Sequence, residues 1–467
     1  MKSELGTAEH PLRVAVVGSG PAGFYVAEHL LKQKDVHVTV DMFDRLPTPF
    51  GLVRFGVAPD HQKIKSVTRV FDRIARDPRF RFYGNVEVGT DLELADLRRL
   101  YHQICFATGA QTDRRMGIPG EDLARSHPAT EFVAWFNGHP DFCECEFDLS
   151  AERVAIVGVG NVAVDVARIL CRTPEELAAT DIADHALEAL ARSRVREVYM
   201  LGRRGPLQAA FTNPEVRELG ELAGADIQVL PDEVELDPLS RAELERAEDD
   251  TLRKKIEILQ DFARRRPEGK DRRLTLRFSV SPTELIAGED GGVRAVRLVR
   301  NELCAKDGRL VAVPTDRFEE IPVDLVFRSV GYHGVPIPGL PFHERWGVIP
   351  NEGGRVTDPD GNGALRGVYV SGWIKRGPSG VIGTNKKDGA ETAAAMLEDA
   401  RAGATLAPDD LDAAALDAAV RARQPNLVTY HDWTRLDALE CSLGEAKGRP
   451  RVKLTTRAAI AEALSGS

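Results

Sequence analysis

Two glycine clusters, and the charged residues that follow each, have the types and spacing to do chemistry. Gly18, Gly20 and Gly23 form G-x-G-x-x-G, with Ala22 inside it, and the next apolar run ends in the acid Asp44. Gly158, Gly160 and Ala163 form G-x-G-x-x-A around Asn161 and Val162; the matching position further on holds Arg203-Arg204 in place of an acid. In such a turn the first glycine permits the tight bend and the second lets backbone approach a pyrophosphate. The third position allows close helix–strand packing, and free N–H groups of the helix face the phosphates. An acid at the next strand end accepts hydrogen bonds from an unphosphorylated ribose. Paired arginines bind a 2′-phosphate through charge-assisted hydrogen bonds, where a carboxylate would repel it. The first cluster therefore predicts a dinucleotide with a free ribose and the second predicts NADP.

The elements needed to position these residues are legible around them. Arg13–Val17 reads as a strand, Phe24–Lys32 as a helix and His37–Phe43 as a second strand, an order that makes the glycine motif meaningful. Residues 153–157 and a helix through Asp165, Ala167, Ile169 and Leu170 repeat the pattern, and Glu197–Leu201 leads into the arginines. Between the units, 62–76 reads as one amphipathic helix with Ile64, Val67, Val70, Phe71 and Ile74 on a single face. Phe80–Val88 alternates as a strand, 94–101 is helical, and Gln103–Ala110 is a buried strand ending in Ala-Thr-Gly. Residues 174–193 and 214–224 read as helical and 225–236 as extended. Residues 241–266 read as one long charged helix, a solvated face whose basic ends offer a lesser reading as a dock for an acidic protein. Residues 274–313 read as a β-meander and 325–331 as a buried strand returning to the first unit.

Leu46–His61 is rich in Pro and Gly yet apolar, so an ordered loop is expected beside the first site, suited to wall a flat ring. His61 is the titratable candidate there, expected to bond across the site with Glu215 and to orient a nicotinamide or relay a proton. Gly367–Trp373 reads as a strand, and the glycine-rich stretch to Asp388 opens a helix whose N-terminus suits an electron-rich ring. Residues 401–418 are expected to be exposed. Trp433, Leu436, Leu439 and Leu443 recur at helical spacing in a packed tail.

The chain has 467 residues, 43% hydrophobic and 29% charged, with a formal net charge of −10. That length predicts two or three domains, and the acidic balance argues against general nucleic-acid binding. No apolar run has the length of a membrane helix, and Met1–Leu12 has no targeting pattern, so a cytoplasmic protein is expected. The six cysteines form no C-x-x-C; Cys143 and Cys145 are the nearest pair and are expected to be ordinary exposed thiols.

Several stretches resemble the adrenodoxin-reductase-like ferredoxin–NADP reductases, in particular their bacterial members. They are Val17–Gly23, Leu46–His61, Gly158–Leu170, GRRGPLQAAFT from Gly202, VGYHGVPIP from Val330, WIKRGPSGVIGTNKKD from Trp373, and Gly448–Leu454. The resemblance implies an α/β fold of two Rossmann-like domains, glutathione-reductase-like, with an NADP domain (111–330) inserted into a discontinuous FAD domain (1–110 and 331–467). It implies hydride transfer from NADPH to the flavin N5, then single electrons to a ferredoxin-type iron–sulfur protein. By position, it implies FAD contacts at Ala22, Asp44, Leu52 and Val88, with Trp373, Gly380, Val381 and Ile382 at the ring. NADP contacts would be Gly160 to Ala163, Arg203, Arg204 and Glu215, with Gly380 near the nicotinamide. The chain departs from the family in carrying Asp44 where Glu is usual and Gln62 where Pro is common.

Other functions would use the same parts. A dithiol reductase needs a cysteine pair near the flavin, which is missing. A flavin monooxygenase would consume NADPH with a small-molecule acceptor and no protein partner. A non-catalytic electron-transfer subunit would carry a cysteine cluster near its N-terminus, and residues 1–12 contain none.

Overall fold

The structure, a computed structural model, describes residues 5–248, 250–361, 363–409 and 412–465. The expectations for Met1–Leu12, 241–266 and 401–418 therefore fall partly outside the described residues.

Apolar strands of the first unit stack into a seven-stranded sheet. Its parallel part runs Ala364–Val370, Gln103–Phe106, Leu12–Val17, Val38–Asp44, Phe80–Gly84, and an antiparallel edge adds Arg355–Thr357 and Asn351–Glu352. A second sheet of six parallel strands runs Ser126–Pro128, Leu325–Arg328, Arg153–Val157, Glu197–Leu201, Arg272–Arg277, Ala225–Val229. Strands buried on both faces read as continuous apolar runs, which is why the central strands of both sheets were legible in the sequence while Ser126–Pro128, Asn351–Glu352 and Arg355–Thr357 were not. The chain enters the second sheet after Gln103–Phe106 and leaves it before Ala364–Val370, two strands that pair with each other. The two crossing segments also pair, Thr112–Asp113 antiparallel to Tyr332–His333. A separate three-stranded antiparallel sheet holds Val280–Ala287, Val293–Lys306 and Arg309–Pro322.

Several boundaries differ from expectation. The helix expected over 62–76 is two, Gln62–Lys65 and Thr68–Ala75, and Ile64 is exposed while Lys65 is buried. The Lys65 ammonium reaches Asp181 at 2.7 and 2.9 Å, so a buried ion pair decides which side of this turn faces inward. The charged helix is likewise two, Pro238–Arg246 and Thr251–Arg264, with Asp237 capping the first through the N–H groups of Leu239 and Ser240. Arg272–Arg277 belongs to the parallel sheet, not the meander, and Leu325–Arg328 closes the second sheet before the chain returns. Phe80–Gly84 ends where Asn85 takes a left-handed conformation. Leu416 and Val420 of helix Ala413–Arg423 are buried. In helix Tyr430–Glu445, Trp433 and Leu436 face the core, whereas Leu439 and Leu443 are exposed.

Candidate functional site: two glycine turns and an interdomain charge cluster

The first turn leaves strand Leu12–Val17 and enters helix Pro21–Leu31. Gly18 has φ of +107°, and a Cβ there would lie 2.4 Å from the Ala107 carbonyl oxygen. A Cβ on Gly23 would lie 2.1 Å from the Gly18 carbonyl. A Cβ on Gly20 would meet nothing within 4 Å. The three glycines thus divide the work: two allow close packing, and one keeps open the space a pyrophosphate needs. Asp44, at the end of its strand, accepts from the Ser19 amide at 2.9 Å and the Ser19 hydroxyl at 2.5 Å on one oxygen, and from the Leu46 amide on the other. The acid therefore also clamps the turn, a role the motif did not reveal.

The loop after Asp44 lies on this turn. The Phe50 amide bonds the Ser19 carbonyl at 3.0 Å, and Gly51 is left-handed and packs against Gly20. Half-buried Leu52 follows, opening the short helix Leu52–Phe55, and Val88 pairs with Leu92 in an isolated bridge. From the far end of the chain, Gly372 abuts Ala22 so closely that a Cβ would sit 2.5 Å from the alanine methyl. Asp388 fixes that corner, accepting from the Gly372 amide and from Lys375 Nζ at 2.9 Å. The Trp373 indole donates to the Ser379 carbonyl at 3.1 Å, and its ring lies 5.2 Å from Tyr332. Gly380 and Val381 are exposed and Ile382 half-buried, just before helix Thr384–Arg401.

The second turn repeats the geometry. Gly158 has φ of +138°, with a Cβ position 2.2 Å from the Ser329 carbonyl; Gly160 faces open space; Ala163 is fully buried in the helix that follows. Asn161 accepts from the Thr212 amide at 2.9 Å, tying loop 205–212 over the turn, and Val162 beside it is half-buried. The carbonyls of Arg203 and Arg204 are held by Asn301 and Ser279. Their side chains are exposed and form no ion pair among the described residues. Two unpaired guanidinium groups on a pinned backbone fit a phosphate.

Between the turns lies a charge cluster. His61 Nε2 is 2.9 Å from Glu218 Oε2 and 3.7 Å from Glu215 Oε2. The expected partner Glu215 is thus the more distant one; Glu218, one turn later on helix Asn213–Leu219, projects nearer the ring. Arg168, its side chain wholly buried, contacts Asp60 at 2.6 Å, Asp165 at 2.7 Å, Glu215 at 3.4 Å and Glu218 at 3.6 Å. Burial opposes ionisation of Asp60, but Arg168 and Arg172 outweigh it and hold this carboxyl well below its ordinary value. Burial pushes Asp165 up to about 6 despite Arg168, and raises Glu215 as well. Asp60, Asp165, Arg168 and Glu218 were not singled out from sequence. Only the helical spacing of Asp165 with Arg168, and of Glu215 with Glu218, was there to find them.

Cys143 and Cys145 are half-buried free thiols, both shifted upward by burial, and Cys143 donates to the Pro140 carbonyl. No helix among the described residues is long and apolar enough to cross a membrane.

This geometry has known counterparts. Residues 12–202 match the pyridine nucleotide-disulphide oxidoreductase family, so the class is that of α/β enzymes with paired dinucleotide-binding domains. The chain is 48% identical to the NADPH-ferredoxin reductase FprA of Mycobacterium leprae, over 97% of this chain and 98% of that one. It is 43% identical to human mitochondrial NADPH:adrenodoxin oxidoreductase, over 96% and 91%. The solved structure of Mycobacterium tuberculosis FprA in complex with NADPH superposes with a TM-score of 0.91 at 46% identity, covering 98% of this chain and all of that one. The chain belongs to the family of adrenodoxin-reductase-like ferredoxin–NADP reductases, as a bacterial-type member.

Proposed function

We infer that the protein is an NADPH-dependent flavoprotein reductase that delivers electrons to a ferredoxin-type iron–sulfur protein. The observation that carries this reading is the asymmetry of the two turns. Both leave open space over the second glycine, but one strand end presents Asp44 and the other the free pair Arg203-Arg204. The first suits the unphosphorylated adenosine of FAD and the second suits NADP. In this reading residues 1–110 and 331–467 form the FAD domain and 111–330 the inserted NADP domain. Free thiols throughout agree with a cytoplasmic setting.

FAD, when bound, supplies the conversion of a two-electron donor into single-electron steps, which no side chain can perform. The chain's own residues bind and orient. Gly18, Gly20, Ala22 and Gly23 would cradle the FAD pyrophosphate, Asp44 its ribose, and Leu52 and Val88 its flanks. Trp373, Gly380, Val381 and Ile382 would border the ring, where the N-terminus of helix Thr384–Arg401 offers N–H donors to developing negative charge. Gly158, Gly160, Asn161, Val162 and Ala163 would hold the second pyrophosphate, and Glu215 the nicotinamide end. Orientation of two flat rings is the main contribution asked of the protein, so the closeness of Gly372 to Ala22 and of loop 46–61 to Gly20 serves the reaction directly.

An absorbance spectrum of the purified protein tests the reading. Flavin bands that bleach with NADPH, and far less with NADH, are expected. A colourless protein that cannot be reconstituted with FAD would refute it.

A further inference from the structure

Both ring nitrogens of His61 are engaged from the second unit. Nε2 lies 2.9 Å from Glu218 Oε2, and a carboxylate oxygen accepts, so the proton of this contact belongs on Nε2. Nδ1 lies 3.5 Å from Arg168 Nη2. A guanidinium offers only donors, so a proton on Nδ1 would point at another N–H. Arg168 has little freedom to turn away. Its Nε and Nη2 are held by Asp60 at 2.6 and 3.1 Å, and Nη2 also by Asp165 at 2.7 Å.

We propose that Arg168 and Glu218 lock His61 in the Nε2–H tautomer, making both of them positioning residues for the inferred reaction. The bare Nδ1 faces Arg168, and the single N–H is aimed at helix Asn213–Leu219, between Glu218 and the more distant Glu215. Glu218 also lines a cavity of about 310 Å³ shared with Asp60, Arg172 and Glu221. The N–H end of the ring therefore lies beside Glu218 at this cavity, which His61 itself also lines. The tautomer of a histidine is set by what its other nitrogen meets, and here a cation and an anion stand on opposite sides.

Long-range proton–nitrogen NMR on the purified protein carrying ¹⁵N-histidine at neutral pH tests this, with the His61 signals located by their loss in His61→Ala. A pyridine-type Nδ1 and a pyrrole-type Nε2 are expected. Arg168→Met should move both signals toward averaged values, and Arg168→Lys should restore the separate pair. A wild-type spectrum with a pyrrole-type Nδ1 or averaged nitrogens overturns the proposal, and so does an Arg168→Met spectrum identical to wild type. Should Arg168→Met fail to fold, Glu218→Ala replaces it: removing the acceptor should mix the tautomers, and an unchanged pair again overturns the proposal. No turnover enters this readout. The wrong tautomer in a protein that NADPH still bleaches defeats the proposal alone, whereas a protein that binds no flavin defeats only the assigned reaction.

Discussion

At the scale of single residues, the proposed reading rests the cofactor preference on Arg203 and Arg204. Their backbones are pinned and their charges are free, so replacement should remove binding energy without disturbing the turn. A hydrogen bond to a charged group contributes about 1.5–3 kcal/mol. Arg203→Ala or Arg204→Ala should therefore raise KM for NADPH by roughly 10- to 100-fold and leave KM for NADH nearly unchanged, as steady-state assays with both nucleotides would report. The placement of these arginines just past the end of strand Glu197–Leu201 was readable from sequence, because an apolar run ends there in glycine and charge. Glu218 was not, since its contact with His61 joins residues 157 apart in the chain. One sequence carries no record of such a meeting, and the reading settled on Glu215, a neighbour on the same helix face.

Among the elements, the glycine turns make a sharp distinction. Gly20→Ala adds a methyl group to open space, whereas Gly18→Ala requires a left-handed alanine against the Ala107 carbonyl. Gly20→Ala should fold with an unchanged far-ultraviolet circular dichroism spectrum but purify with little or no flavin. Gly18→Ala should lose folded yield itself. Equal loss of fold in both variants would mean that Gly20 serves packing rather than the cofactor. The turns were legible because backbone geometry dictates residue type there. The helix expected over 62–76 was not, because its apolar spacing is intact and the break comes from Lys65 turning inward to Asp181. Likewise the long charged stretch has no strong breaker inside it, and the local cap at Asp237 decides where its first helix begins.

Across the whole molecule, the C-terminal tail ties the two units together through buried charge. Lys453 reaches the carbonyls of Arg54 and Asn137 and lies 3.5 Å from Asp181, which also holds Lys65. Arg449 bonds the carbonyls of Thr180 and Ile182, and Arg54 pairs with Glu440 of the tail helix at 2.6 Å. Burial opposes the ionisation of Asp181, but Lys453 and Lys65 outweigh it and draw its carboxyl down to about 2. Because an unfolded aspartate titrates near pH ~3.9, this stabilisation is complete above that pH and fades as pH falls toward 2. It is on the order of 2 kcal/mol. Asp181→Asn leaves two buried lysines without their carboxylate and should cost about 3–5 kcal/mol near neutrality. It should also flatten the acid limb of stability, measured as the denaturant midpoint between pH 6 and pH 3. An acid limb as steep as wild type would show that other carboxylates govern it.

The nesting of one sheet inside the other has a consequence during synthesis. Strand Gln103–Phe106 leaves the ribosome long before its neighbour Ala364–Val370, with every strand of the six-stranded sheet made in between. The inserted sheet can close on itself as soon as Leu325–Arg328 emerges, whereas the outer sheet must wait with an unpaired edge. Domains fold as units while the chain is still growing, and an unpaired edge invites wrong partners until it is covered. The inner half should therefore mature first. The outer site, lacking Gly372 and helix Thr384–Arg401 until translation is nearly over, takes up its ligand last.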